Sequence, residues 1–289
     1  MTIKGNRPLL FLVSLVLLDV GPTAAKVGSP RFSAVFVKGY VRLLRKDLLS
    51  SPRPMDQVPA DAKAISLGKG SSCLLLTESW RAFELRGVAT IPLESNGVAT
   101  ENSGLRPYEI KLNLENVAKL SDSIETKAKS SYRNSKIVSM KSGKAWLSIP
   151  QPEQWDPHAS SVAVCRAKTK GEKKWSPFAT PCHATEDGPW LELDISENQW
   201  ASWEPLWIGY PEKSSPPTYL VHVLQPNEMT ELSRLEADKR TQGQMLFFYV
   251  CSKIHYWGGA RKALNALRGQ IIDSDWTRLK ANLKREEQA

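Results

Sequence analysis

Between residues 63 and 224 every apolar run is cut short by Gly, Pro, Ser or Asn, and this punctuation restricts the chain more than any other feature. A buried helix needs one apolar stripe held over roughly ten or more residues, so the segment reads as short strands joined by turns. Tyr108, Ile110, Leu112 and Leu114 alternate with Glu109, Lys111 and Asn113, the pattern of a strand with one wet face. Similar runs predict strands at 64–67, 73–77, 88–93, 136–140, 145–149, 161–165, 190–195 and 219–224, with an intervening helix over 116–130.

Pro226 closes this region and the period changes. Met229, Leu232 and Leu235 begin a helical stripe, and Ala263, Leu264, Leu267, Ile271, Trp276, Leu279 and Leu283 continue one beyond the Gly258-Gly259 pair. A helical hairpin broken at those glycines is expected. Upstream, Val37, Tyr40, Val41, Leu44 and Leu48 also fall at helical spacing, with Lys38, Arg42, Arg45 and Lys46 mostly off the stripe. This predicts a basic amphipathic helix over 32–49, ended by a linker carrying Pro52, Pro54 and Pro59. The expected fold class is α+β: a Trp-rich antiparallel β-sandwich or jelly-roll-like middle (63–225) followed by a C-terminal helical hairpin (226–289).

The first 25 residues have three zones: Lys4 and Arg7, an apolar run over 9–18 broken by Ser14, then Gly21, Pro22, Thr23, Ala24 and Ala25. That is the pattern of a secretory signal peptide. The run is shorter than the roughly 20 apolar residues that cross a bilayer, and Asp19 ends it, so stable membrane insertion is not expected. Cleavage is expected after Ala25, leaving a basic segment over 26–62, and the mature chain is expected to be secreted, with the periplasm as the alternative. Cys73, Cys165, Cys182 and Cys251 then form an even set in an oxidising compartment. Cys165 and Cys182 flank a turn-like segment at 170–173 and are the expected disulfide. Cys73 and Cys251 lie in apolar runs that predict burial.

Charge is uneven. Residues 26–150 hold 20 Lys and Arg against 11 Asp and Glu, whereas 151–289 hold 17 against 18. No basic recognition motif accompanies the excess, so a solvated surface is expected and no specific nucleic-acid partner.

Chemistry has few footholds. The histidines at 158, 183, 222 and 255 stand in no Gly-x-Ser-x-Gly, His-Glu-x-x-His or phosphate-loop context, and no cysteine spacing suits a metal. Cys182 and His183 project to opposite faces of an extended segment. Glu192 and Asp194 share a strand face at about 7 Å, a spacing seen in glycosidic sites but equally that of any wet strand face. A non-enzymatic protein without metal or cofactor is expected. Seven of ten tryptophans lie between Trp146 and Trp207. Trp190, Trp200, Trp203 and Trp207 are the candidate surface for a host or partner protein, or for carbohydrate, with core packing as the alternative. In a helix, Trp200, Trp203 and Trp207 would share a face.

Two resemblances follow. The segment from Trp190 to Ser196, with Trp203 soon after, resembles the strand and turn of jelly-roll modules in growth-factor propeptides and some adhesive bacterial domains, which implies a fold only. Arg42-Leu43-Leu44-Arg45, placed after a signal peptide, resembles the Arg-x-Leu-Arg motif of secreted effectors of oomycete plant pathogens. The acidic Glu-Glu-Arg companion is absent. The resemblance implies an exported virulence protein in which these four residues serve delivery into a host cell. Without it, Arg42 and Arg45 are the wet side of a helix.

Overall fold

The computed structural model describes residues 32–46, 48–94, 97–98, 108–130, 134–148, 161–169, 172–185, 188–195, 203–208 and 218–288; for 145, 146, 148, 161–169, 172–185, 188–191, 194, 195, 208 and 288 the backbone alone is described. The fold class is α+β, with seventeen strands and five helices among these residues.

Residues 32–50 are strands, which corrects the expected amphipathic helix: β1 is Phe32–Lys38, β2 Val41–Leu44 and β3 Leu49–Ser50. Gly39 is the physical reason. It turns the chain at φ 79°, and a Cβ there would stand 2.6 Å from Ser71 Oγ. The flanking Phe, Val and Tyr residues suit a pleated surface, and the apparent helical stripe spans this turn and the two strands on either side of it, which enter different sheets. After them come β4 (Asp56–Gln57), β5 (Ala64–Leu67), β6 (Ser72–Thr77), β7 (Ala82–Arg86), β8 (Ala89–Glu94), β9 (Gly97–Val98) and β10 (Tyr108–Ile110). Only this first part of the alternating 108–114 segment is strand; it pairs with Ala82–Glu84 of β7.

These strands make two five-stranded antiparallel sheets, in the orders β10-β7-β6-β1-β4 and β3-β2-β5-β8-β9. Phe32, Ile65, Leu75, Leu85 and Ile91 fill a core with Val41 and Leu43. Strand β6 is buried on both faces: Cys73 and Leu75 point into that core, while Leu74 and Leu76 join a second, larger one. That explains why its sequence is a continuous apolar run instead of an alternation.

Helix α1 (Glu115–Ala128) leads to β11 (Lys136–Met140), β12 (Gly143–Ser148), β13 (Ser161–Thr169), β14 (Glu172–Thr185), β15 (Gly188–Ile195), β16 (Glu204–Ile208) and β17 (Tyr219–Val223). They order as β11-β17-β16-β13-β14-β15-β12. The β11–β17 pair is parallel, so this sheet is mixed where an antiparallel one was expected. Its two end strands, β11 and β12, are joined only by Lys141 and Ser142, so seven strands cannot lie flat between them and the sheet must curl.

Four helices finish the chain in place of the expected hairpin: α2 (Pro226–Ala237), α3 (Thr241–Lys253), α4 (Trp257–Leu267) and α5 (Asp273–Gln288). Gly258 and Gly259 do not break a helix but begin α4, because its close approach to the end of α3 leaves no room for a side chain at 259. Helix α3 is buried almost all round, from Gly243 to Phe248 and at Val250 and Cys251, and is the axis on which the larger core is built. Among the described residues no helix is long and apolar enough to cross a membrane.

Candidate functional site

The break between α3 and α4 falls at Ile254–Tyr256, and it is a Schellman turn. Tyr256 N–H donates to the Cys251 carbonyl at 2.8 Å and His255 N–H to the Ser252 carbonyl at 3.1 Å. The residue between must take a left-handed conformation, normally supplied by Gly; here it is His255, at φ 54°. A side chain in that region costs about 1 kcal/mol or more, so the imidazole persists against a local preference.

Three hydrogen bonds fasten the turn to the free edge of β11. Ser139 N–H donates to the His255 carbonyl at 3.1 Å, and Ser139 Oγ donates to the Ile254 carbonyl at 2.6 Å. His255 Nδ1 lies 2.9 Å from the Ile137 carbonyl. A carbonyl oxygen only accepts, so Nδ1 carries the proton and Nε2 of the neutral ring is an acceptor. Burial lowers the His255 pKa and Lys253 lowers it further, against the opposing Ile137 carbonyl; the neutral form is favoured. The ring stacks on Trp257 with centroids 5.2 Å apart.

This turn forms one wall of a cavity of about 630 Å³. Met55 and Gln57 contribute from the N-terminal sheets, Ile137 and Tyr219 from the β11–β17 edge, Phe248 and Ser252 from α3, and Leu279, Asn282, Leu283 and Glu286 from α5. The volume is that of a small-ligand site, and the lining mixes apolar side chains with polar and charged ones, Lys136, Lys253, Glu286 and Glu287 among them. Ser252 Oγ is buried and has no hydrogen-bond partner. Lys136 and Glu287 both line the cavity: burial lowers the lysine pKa while the Glu287 charge opposes that shift, and Glu287 also pairs with Arg261.

The residues singled out from sequence lie elsewhere. Arg42, Leu43 and Leu44 lie on β2 and Arg45 just after it; β5 pairs with all of β2, and β3 with Leu43 and Leu44. Leu43 is core, the Arg42 guanidinium lies 5.1 Å from the Tyr40 ring centre, and Arg45 pairs with Asp61 at 2.8 Å. Trp207 is buried in a strand, which corrects its assignment to a binding surface and removes the shared helical face with Trp200 and Trp203. Trp203 is half-buried, its ring 4.9 Å from that of His222. Trp200, and the side chain of Trp190, lie outside the described residues.

The expected turn between β13 and β14 is present as an antiparallel hairpin. Its register sets Cys165 opposite Trp175, while Cys182 stands opposite Leu191 on β15, so the two are not an opposed pair; their side chains lie outside the described residues. Cys73 and Cys251 are free and buried, and burial pushes the Cys73 thiol up to about 12. Glu192 pairs with Lys144 at 2.8 Å, and the Asp194 side chain is outside the described residues. His222 Nε2 lies 2.9 Å from Glu228 Oε2, which also accepts the Gln225 N–H as part of the capping box of α2. Among the described residues no group of three or more His, Cys, Asp or Glu could hold a metal ion.

Sequence reasoning missed Ser252 and His255. Their one local signal is that Ser252 and Lys253 interrupt the apolar run of α3. Compared with protein-family models, curated proteins and solved structures, the chain matches none.

Proposed function

We propose that the chain is an exported, non-enzymatic binding protein whose site is the cavity walled by the α3–α4 turn, the β11–β17 edge and α5. The observation that carries this reading is the cavity itself, at about 630 Å³ with an apolar floor, drawn from segments spread over the whole chain. Export rests on the three-zone pattern of the first 25 residues. The setting we favour is an envelope or the medium, with a ligand or partner subunit, over delivery into a host cell. Leu43 and Leu44 at the centre of Arg42–Arg45 are paired on both sides, with β5 and β3, which leaves little of their backbone for a receptor to grip. A sandwich or jelly-roll form of the Trp-rich middle belongs to the same reading, supported by the two-residue link between the end strands of the curled sheet.

The test uses the amphiphilic dye 8-anilinonaphthalene-1-sulfonate. Its fluorescence should rise on binding the folded protein, and Asn282→Trp, which narrows the cavity from the half-exposed side of α5, should weaken binding at least tenfold with an unchanged unfolding midpoint. Equal affinity for both proteins, or no binding, overturns the site. Mass spectrometry of the native protein should find Lys26 at its start; an intact Met1 inside the producing cell overturns export.

A further inference from the structure

We propose a second site, toward the other end of α3, where a basic cleft binds a phosphate or sulfate group carried on a small molecule. It is independent of the binding reading above, because the two cavities share no lining residue; Gln242 at one and Ser252 at the other are about 15 Å apart along the helix. This cavity, of about 590 Å³, lies between one end of β1, β6 and β7 and the first residues of α3. Strand register sets its cations in a row. Lys38 pairs with Ser72 and Ser72 with Arg86, so the three stand side by side on adjacent strands. Alternation gives them the face of Phe36, Leu74 and Ala82, which belongs to the larger core built on α3. At two strand spacings the Cα atoms of Lys38 and Arg86 are about 10 Å apart, with only the small Ser72 between them. Arg240, Thr241 and Gln242 complete the lining from α3.

Both arginines keep a donor edge in reserve. Arg86 places Nε and Nη2 on Glu84 Oε1, and Arg240 places the same two nitrogens on the Asp238 carboxylate. A guanidinium held along that side retains its terminal Nη1–Nη2 edge, a fork that suits a second oxyanion. Asp238 raises the Arg240 pKa and the Glu84 charge adds to it, so Glu84 acts on both guanidinium groups and gathers them. Neither carboxylate lines this cavity, and no other acidic residue does. Lys38 has no acidic partner among the described residues. Cations drawn from a sheet and a helix suit an anion with oxygens in more than one plane, which a tetrahedral phosphate or sulfate offers and a flat carboxylate does not. The space far exceeds one such ion, and Gly70 and Gly87 line it at φ 72° and 91° without side chains, leaving room for the body that carries the charge.

Isothermal titration calorimetry of the full chain tests this with phenyl phosphate, phenyl sulfate and benzoate, which share one body, at about 0.15 M ionic strength to screen long-range attraction. One ester or both should bind one to one, at least tenfold more tightly than benzoate, and the tighter ester identifies the group. Lys38→Ala and Arg240→Ala, both at exposed positions, should each weaken that binding at least tenfold. Lys280→Ala, which removes an exposed cation of α5 outside the lining, should leave it unchanged. Benzoate binding as tightly as the esters, no saturable binding of either ester, full affinity in Lys38→Ala and Arg240→Ala, or an equal loss in Lys280→Ala overturns the site.

Discussion

Ser139 Oγ donates to the Ile254 carbonyl across 2.6 Å, joining the edge of the curled sheet to the turn that walls the cavity. Ser139 is 2% exposed, so water cannot replace it. Ser139→Ala leaves that carbonyl unsatisfied and should cost about 1–3 kcal/mol in urea denaturation. The amide of His255 should also exchange faster, since the turn loses one of three fastenings. Unchanged stability would mean that the turn is held without this bond.

Ser252→Ala should behave in the opposite way although it also deletes a buried hydroxyl. Its oxygen has no partner, so the substitution removes a desolvated group and no hydrogen bond. The ligand-free protein should be as stable as before or gain up to about 1 kcal/mol. A loss like that of Ser139→Ala would show that Ser252 holds a partner in the folded state.

Glu231 illustrates how α1 is started from a distance. Leu114 at the helix N-cap offers no side-chain acceptor. The Glu231 carboxylate on α2 accepts instead from Val117 N–H at 3.0 Å, Asn116 N–H at 3.1 Å and Asn116 Nδ2 at 2.6 Å. It is 5% exposed and complements the positive end of the helix dipole. Glu231→Ala should cost about 3 kcal/mol, and Glu231→Gln less, because the amide oxygen still accepts. Circular dichroism should show helix lost before the sheets unfold.

Acidification should destabilise the fold through His255. Its folded pKa is depressed, by burial first and then by Lys253, so the folded state favours the neutral ring. The group's contribution is present above the unfolded histidine value of about 6.5 and is lost as pH falls through the lower folded value. Lys136, Lys253, Glu286 and Glu287 line the same cavity and carry their own charges. The His255 part is isolated by His255→Asn, which tolerates the left-handed backbone. The variant should show a flatter fall in stability below pH 6.5 than the parent; parallel curves would remove His255 from the acid response.

Strands β5 and β11 were legible to the residue, because alternation and flanking turn residues are local signals. Residues 32–49 were not. Val37, Tyr40, Val41 and Leu44 satisfy a helical period and two short strands equally well, and only packing against β5 and β6 distinguishes them. The four C-terminal helices were half legible: the stripe marked helix, but the Schellman turn carries His255 where a glycine would have announced it, so the nearby Gly pair drew the boundary. The cavity left no trace in the sequence, since its walls come from segments that meet only on folding.

Gly258 and Gly259 should therefore respond to substitution with opposite signs. At 259 a Cβ would stand 2.5 Å from the Tyr256 ring and 2.7 Å from Cys251 Sγ, and Cys251 is fixed in the core. Gly259→Ala must push α4 off the end of α3, at a cost of about 1–3 kcal/mol. At 258 the nearest heavy atom is Tyr256 Cε2 at 3.5 Å, an ordinary contact, and the position is exposed. Gly258→Ala should gain up to about 1 kcal/mol from helix propensity. Thermal unfolding of the two variants measures the difference. If both substitutions stabilise, the close α3–α4 approach is not present in solution.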